Sequence, residues 1–171
     1  NDAMLDAEDI VLRPADIDTA AIVGAVIDAN APLAERKGQM LVYSGPDALP
    51  GRADPDRLRE AIDNLVSNAI KYSPPGGRII VALTSSEAGH QITVSDSGPG
   101  LTPEDEQRLF GRFQRLSAKP TGGESSTGLG LFICRRIVEL HGGRITATGN
   151  GKGKGATFAI TLPPTLQRGP S

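Results

Sequence analysis

The stretch that most restricts the fold of this chain runs from Asp54 to Gly77, DPDRLREAIDNLVSNAIKYSPPGG. Asp54 can accept hydrogen bonds at a helix start, and Pro55 suits the first helical position because its missing N–H has no partner there. Leu58, Ile62, Leu65, Ala69 and Ile70 recur on one stripe, and Pro74-Pro75-Gly76-Gly77 forbids continuation. A helix is therefore predicted over 55–72, stopping at Ser73. A helix that is apolar along one stripe needs a second layer to cover it.

The rest of the chain offers that layer. RIIVAL and QITVSD, joined by SSEAGH, read as a β-hairpin, and RITATG and ATFAITLP read as closing strands. Upstream, DIVLRP (residues 9–14) and QMLVYS (39–44) have strand character. Residues 16–37 carry Ile17, Ala20, Ala21, Val23, Ala25, Val26 and Ile27 at helical spacing, with an interruption expected near Pro32. GPDALPGRA (45–53) reads as a turn-rich connection. A short helix is expected from Thr102 through LFGRF, then a polar loop, SAKPTGGESST, then a helix over GLGLFICRRIVELHGG with a Gly-Gly exit. The predicted class is α+β: two layers, with about three main helices on a mixed, mostly antiparallel sheet.

Composition narrows the function. In 171 residues, 18 Lys and Arg face 20 Asp and Glu for a net charge of −2, which argues against a large nucleic-acid surface. No apolar run reaches the roughly 20 residues that cross a bilayer, so direct membrane contact is not expected of this segment. The single Cys134 excludes an internal disulfide framework and a multi-cysteine metal site, and the cytoplasm is the expected compartment. The tail after Pro163 is expected to be loose.

Three stretches carry chemistry. On the helix 55–72, Glu60, Asn64, Asn68 and Lys71 share one face beside the apolar stripe. By itself such a face fits ordinary solvation, but amide oxygens can also ligate Mg²⁺ beside phosphate oxygens, and a lysine can neutralise phosphate charge. Asp96-Ser97-Gly98-Pro99-Gly100 ends a strand: it is either plain turn punctuation or a carboxylate set to accept an amine beside backbone that a flat ligand can approach. Thr127-Gly128-Leu129-Gly130-Leu131 opens a helix, either as a hinge or as an anion cradle of exposed N–H groups.

In this order the three stretches resemble the nucleotide-binding boxes of the gyrase, heat-shock chaperone, histidine kinase and mismatch-repair ATPase superfamily. Within it they are most similar to the catalytic and ATP-binding domain of sensor histidine kinases. NLVSNAIKYSP resembles that family's asparagine box, DSGPG its first glycine box, LFGRFQR its phenylalanine box, and STGLGLFICRRIVELHGG its second glycine box with the following helix. GKGKGATFAITLP resembles the closing glycine-rich strand pair.

The resemblance implies a Bergerat fold over residues 9–163 with a mobile ATP lid at about 101–127, a connector at 1–8 leading to dimerisation helices outside the chain, and a tail at 164–171. It implies that Asn68 coordinates Mg²⁺ bridging the ATP phosphates and that Asn64 supports the phosphates and metal waters. Lys71 contacts phosphate, Tyr72 lies against adenine or ribose, and Asp96 accepts from the adenine amine. Gly98 and Gly100 let the base lie close to backbone, and Leu101 walls the pocket. Arg115 reaches the γ-phosphate when the lid closes, Gly128, Leu129 and Gly130 offer N–H groups to phosphates, and Thr157 touches the adenine site from the closing strand.

The implied activity is transfer of the γ-phosphoryl group of Mg·ATP to a histidine on a separate dimerisation domain, with a response regulator downstream. Hydrolysing members of the superfamily carry a glutamate where Asn64 stands; an amide is a poor general base, so little ATP hydrolysis is expected. His90 and His141, the only histidines, lie at a hairpin turn and a helix exit rather than in an acceptor motif. The competing readings are a serine-directed kinase of the anti-sigma-factor type and a non-catalytic docking module. Cys134 is expected to be a buried structural thiol and Arg135-Arg136 a solvated face.

Overall fold

A computed structural model describes residues 10–108, 130–150 and 154–164. Residues 10–14 have no regular structure, so the first strand falls later than expected: β1 is Ala15–Asp18. Helix α1 (Thr19–Arg36) starts at Asp18, whose carboxylate accepts the Ala20 N–H at 3.1 Å and the Leu49 N–H at 2.8 Å. Pro32 does not interrupt α1. Its ring costs one hydrogen bond, but Val23, Val26, Asn30 and Ala34 continue a single buried stripe across it and hold both halves against the core.

β2 (Met40–Ser44) follows as expected, and then β3 (Pro50–Ala53), hidden inside the segment read as a turn-rich connection. β3 pairs antiparallel with β1, Ala15 facing Ala53 and Asp18 facing Pro50, to make a separate two-stranded ribbon. Pro50 and Gly51 have poor strand propensity; the proline sits at the first position of the strand, where it is tolerated.

α2 (Pro55–Tyr72) has the bounds that its start and stop residues dictate. The Asp54 carboxylate accepts the N–H groups of Asp56 and Arg57, both at 3.1 Å, and Ser73 is the last cap. β4 (Arg78–Ser86) and β5 (Gly89–Asp96) form the expected hairpin, with each strand longer than its apolar run. Then come α3 (Pro103–Arg108), α4 (Gly130–Leu140), β6 (Arg144–Gly149) and β7 (Ala156–Leu162). The expected Thr102–Phe113 helix is described only through Arg108, and the phenylalanine box and the 117–127 loop lie outside the described residues.

The main sheet has the order β2-β4-β5-β7-β6, with β2 parallel to β4 and every other pair antiparallel. Alternate residues of the three central strands are buried under the helices: Ile79, Val81 and Leu83, then Ile92 and Val94, then Phe158, Ile160 and Leu162. The register stacks them in rows, Val81 beside Val94 beside Phe158 and Leu83 beside Ile92 beside Ile160. Burying each such side chain contributes roughly 1.5–3 kcal/mol. The opposite face carries the half-buried Thr93, Ser95, Thr157 and Thr161. The result is the expected two-layer α+β sandwich, and it brings the end of β5 against the end of α2.

Candidate functional site

Where β5 ends, the chain turns sharply through Asp96–Gly100. The Asp96 Oδ1 accepts the Gly98 N–H at 2.9 Å and the Ala156 N–H at 3.3 Å. One carboxylate oxygen thus pins its own turn to the start of β7. Burial pushes the Asp96 carboxyl above the usual carboxylate range, an effect those two N–H bonds only partly offset.

The fit around Asp96 depends on glycines that approach protein backbone. A Cβ on Gly98 would lie 2.8 Å from the Tyr72 carbonyl, so the bare backbone there lets the turn butt against the end of α2. Gly155, at φ +81°, would place a Cβ 1.8 Å from the Asp96 carbonyl. Gly100, at φ 91°, lies in the left-handed region that favours glycine. After the turn, Thr102 and Asp105 cap each other: the Thr102 N–H donates to the Asp105 carboxylate at 3.1 Å, and the Asp105 N–H to the Thr102 hydroxyl at 3.0 Å. This reciprocal box fixes the backbone just beyond Leu101.

A narrow cleft opens between these parts, lined by Asn68 and Tyr72 from α2, by Asp96, Pro99, Gly100 and Leu101, and by Ala156 and Phe158 from β7. Five of the residues named from sequence, Asn68, Tyr72, Asp96, Gly100 and Leu101, are brought together. Thr157 lies outside the lining. The pleat of β7 sends Ala156 and Phe158 to the helix side, so Thr157 faces the other way and bonds to Ser95 at 3.1 Å and Asn150 at 3.2 Å. Pro99, Ala156 and Phe158 also line the cleft and were not named from sequence. The alternation of ATFAITL held the signal for the β7 pair, because Phe158 must be buried and Ala156 shares its parity.

The polar face of α2 is shared among several partners. Glu60 pairs with Arg57 at 2.9 Å. The Asn64 amide donates to the carbonyl of Gly130, the first residue of α4, at 3.1 Å. The asparagine box and the second glycine stretch are therefore in direct contact. Asn68 alone of the three lines the cleft; Lys71 stands on the last turn, beside Tyr72 but outside the lining. Arg115, Gly128 and Leu129 lie outside the described residues.

Both histidines are buried. His141 Nδ1 lies 2.8 Å from the Ile137 carbonyl, and its Nε2 accepts the Asp54 N–H at 3.1 Å, which ties the end of α4 to the start of α2. Burial lowers the pKa of His90. Cys134 is buried with its thiol against the Ala61 carbonyl, and burial, with the Glu60 charge adding to it, drives its pKa far up, as expected of an inert structural thiol. Arg135 and Arg136 both pair with Glu139 on the exposed face of α4. Among the described residues, no helix is long and apolar enough to cross a membrane, and no three His, Cys, Asp or Glu side chains cluster as a metal site.

With this geometry in view, the sequence profile of the histidine kinase-, DNA gyrase B- and HSP90-like ATPases matches residues 53–166, about two thirds of the chain, and the protein belongs to that family. The sensor protein SrrB of Staphylococcus aureus is 42% identical over 110 residues, covering 64% of this chain and 19% of SrrB. The chain thus spans about a fifth of the length of the curated relatives it matches. Among solved structures, the mycobacterial sensor histidine kinase MprB superposes with a TM-score of 0.76 at 26% identity, covering 87% of this chain and 97% of that one. Full-length ShkA in complex with AMPPNP superposes with a TM-score of 0.76 at 28% identity, covering 90% of this chain and 32% of that one. The α+β fold with its mixed sheet is the one these kinases share.

Proposed function

We propose that this chain is the ATP-binding catalytic domain of a two-component sensor histidine kinase, which binds Mg·ATP in the Asp96–Asn68 cleft and passes the γ-phosphoryl group to a histidine on a separate dimerisation domain. The observation that carries this is the Asp96 carboxyl, held by two backbone N–H groups on Oδ1 and lining a cleft with Asn68 and Tyr72. Its second oxygen suits the exocyclic amine of adenine and repels the carbonyl that guanine carries at the same place. A site built for one donor rejects the analogue by as much as roughly 10⁴-fold. The ATP-analogue complex of ShkA supports this reading.

The donor set suits magnesium. Asn68 offers a hard, neutral amide oxygen, and with no carboxylate cluster among the described residues the ion would take its remaining ligands from phosphates and water. When bound, Mg²⁺ neutralises charge on the transferring phosphoryl group. Asn64 cannot act as a base, and its amide is engaged with the Gly130 carbonyl; Glu60 is engaged with Arg57. Neither of these two described residues is thus placed to prepare water for attack on ATP. His90 and His141 are both buried, so the acceptor comes from another domain, with a response regulator receiver as the next acceptor. Lys71, Arg115, Gly128, Leu129 and Gly130 are proposed as phosphate contacts. The proposed setting is the cytoplasm, where ATP is supplied.

Isothermal titration with Mg·ATP tests the reading. Binding is expected in the wild type, loss of binding in Asp96→Asn, and loss of the magnesium dependence in Asn68→Ala. A wild type silent at millimolar nucleotide would overturn it. A supplied acceptor domain should become labelled from radioactive ATP with the acid lability of a phosphohistidine.

A further inference from the structure

We infer that Lys37 and Gln39, in the turn between α1 and β2 and outside the stretch that the family profile matches, are positioning residues for the nucleotide cleft. The inference rests on the nucleotide-binding reading of that cleft. The last four carbonyls of a helix have no partner within it. In α2 those are the carbonyls of the turn that carries Lys71 and Tyr72, so their fate decides whether that turn is held or frays.

The Ser73 N–H closes one of them, bonding to the Ala69 carbonyl at 3.0 Å. Those of Ile70 and Lys71 are met from a distant part of the sequence. The Lys37 ammonium donates to the Ile70 carbonyl at 2.8 Å and to the Lys71 carbonyl at 3.3 Å. The buried Gln39 amide donates to Ile70 at 3.1 Å, Ser73 at 3.0 Å and Pro74 at 3.4 Å. The backbone joins in: the Gly76 N–H donates to the Lys37 carbonyl at 3.0 Å, and the Met40 N–H to the Gly77 carbonyl at 2.9 Å. A cation at this end also complements the negative end of the helix dipole.

This latch reaches the ligand site in one step. The Tyr72 carbonyl abuts Gly98, and Tyr72 itself lines the cleft across from Asp96. On the far side, the Ser97 hydroxyl accepts the Arg78 N–H at 2.8 Å, next to Gly77, where a Cβ would lie 2.7 Å from that hydroxyl. Latch, helix end and Asp96 turn are thus packed as one block. Loosening the latch moves Tyr72 relative to Asp96 without removing any group that touches nucleotide.

The test compares Lys37→Met, Gln39→Leu and their double variant with Lys37→Arg, which keeps a cationic donor, and with Leu162→Ala, a core deletion at the opposite end of the sheet. Affinity for Mg·ATP is measured by titration well below the melting temperature, and amide exchange is followed at 70–73 and 96–98. The double variant should bind about tenfold more weakly, the size of one hydrogen bond from a charged donor, with faster exchange at both segments. Lys37→Arg should stay within about twofold of wild type. Leu162→Ala should melt earlier with affinity unchanged, which separates positioning from general stability. A folded double variant that binds like wild type and exchanges normally at 70–73 would overturn the inference. If the wild type binds no nucleotide, the proposed function fails instead, and the exchange at 70–73 and 96–98 alone decides whether the latch orders this block.

Discussion

The two ends of α2 are built from the same kinds of group and do different things with them. At its start, the Asp54 carboxylate caps the helix through Oδ1 and accepts the Arg13 N–H through Oδ2 at 2.9 Å, while the Asp54 N–H goes to His141. Both carboxylate oxygens and the backbone donor are spent inside the protein. At the far end, Asp96 faces the helix terminus with both of its bonds on Oδ1, in a cleft that Asn68 and Tyr72 share. The pKa directions follow. Both groups feel burial pushing them up. At Asp54 the bonds from Arg13, Arg57 and Asp56, with His141 nearby, win and hold the carboxyl below its usual range, whereas at Asp96 burial wins. A carboxylate whose needs are met internally is structural; one left partly unmet in a cleft is the group that the proposed function assigns to the ligand.

The sharpest way to break this contrast is Asp96→Asn. It should weaken Mg·ATP by at least about 100-fold and erase discrimination against GTP, while the melting temperature changes little. Titration of both nucleotides and calorimetry check it. Next is Gly155→Ala, which forces a Cβ into the Asp96 carbonyl at a positive φ. It should cost about 3 kcal/mol of stability in denaturant unfolding and carry nucleotide affinity down with it.

The inert end should behave in the opposite way. His141→Leu leaves the Asp54 N–H buried without an acceptor and should cost about 2 kcal/mol of stability, with affinity within about twofold of wild type once the domain is folded. Asp54→Ala should cost about 1 kcal/mol, again without touching affinity.

Acid should separate the two ends in sequence. Asp54 has a lowered folded pKa, so its stabilising contribution is complete above its unfolded value of about 3.8 and is lost as the pH falls through the lower, folded one. Asp96 has a raised folded pKa: its burial as an anion costs stability above about 3.8, and that cost is relieved as acid protonates it. Affinity for ADP in the wild type, referenced to any residual affinity in Asp96→Asn, should therefore decline at higher pH than the one at which the α2 cap begins to fail. Loss of both together, or of the cap first, would blur the distinction between the ends.

How far the molecule could be read beforehand depends on how local each feature is. The bounds of α2 were legible because Asp54, Pro55 and the Pro74-Pro75 stop act on neighbouring residues. The β1–β3 ribbon was not, because its pairing joins Ala15 to Ala53 and Pro50-Gly51 carries no strand propensity of its own. Asn68, Tyr72, Asp96, Gly100 and Leu101, named from their motifs, line one cleft, whereas Thr157 was named from β7 and Ala156 lines the cleft instead. That difference turns on the parity of a pleat, which the pairing of Val94 with Phe158 sets across the sheet. His141 read as an ordinary helix exit because its partner, Asp54, is 87 residues away.

The order of apolar and polar residues and the caps were enough by themselves to specify an α+β domain, since each acts over one or two helical turns or a single strand, and the nucleotide chemistry came from the resemblance of the three boxes to a known family. Which oxygen of Asp96 is occupied, which side of β7 faces the cleft, and that the 37–39 turn latches the end of α2 were decided by the packed chain. Those are contacts between segments far apart in sequence, and only burial in a shared core brings them within hydrogen-bond distance.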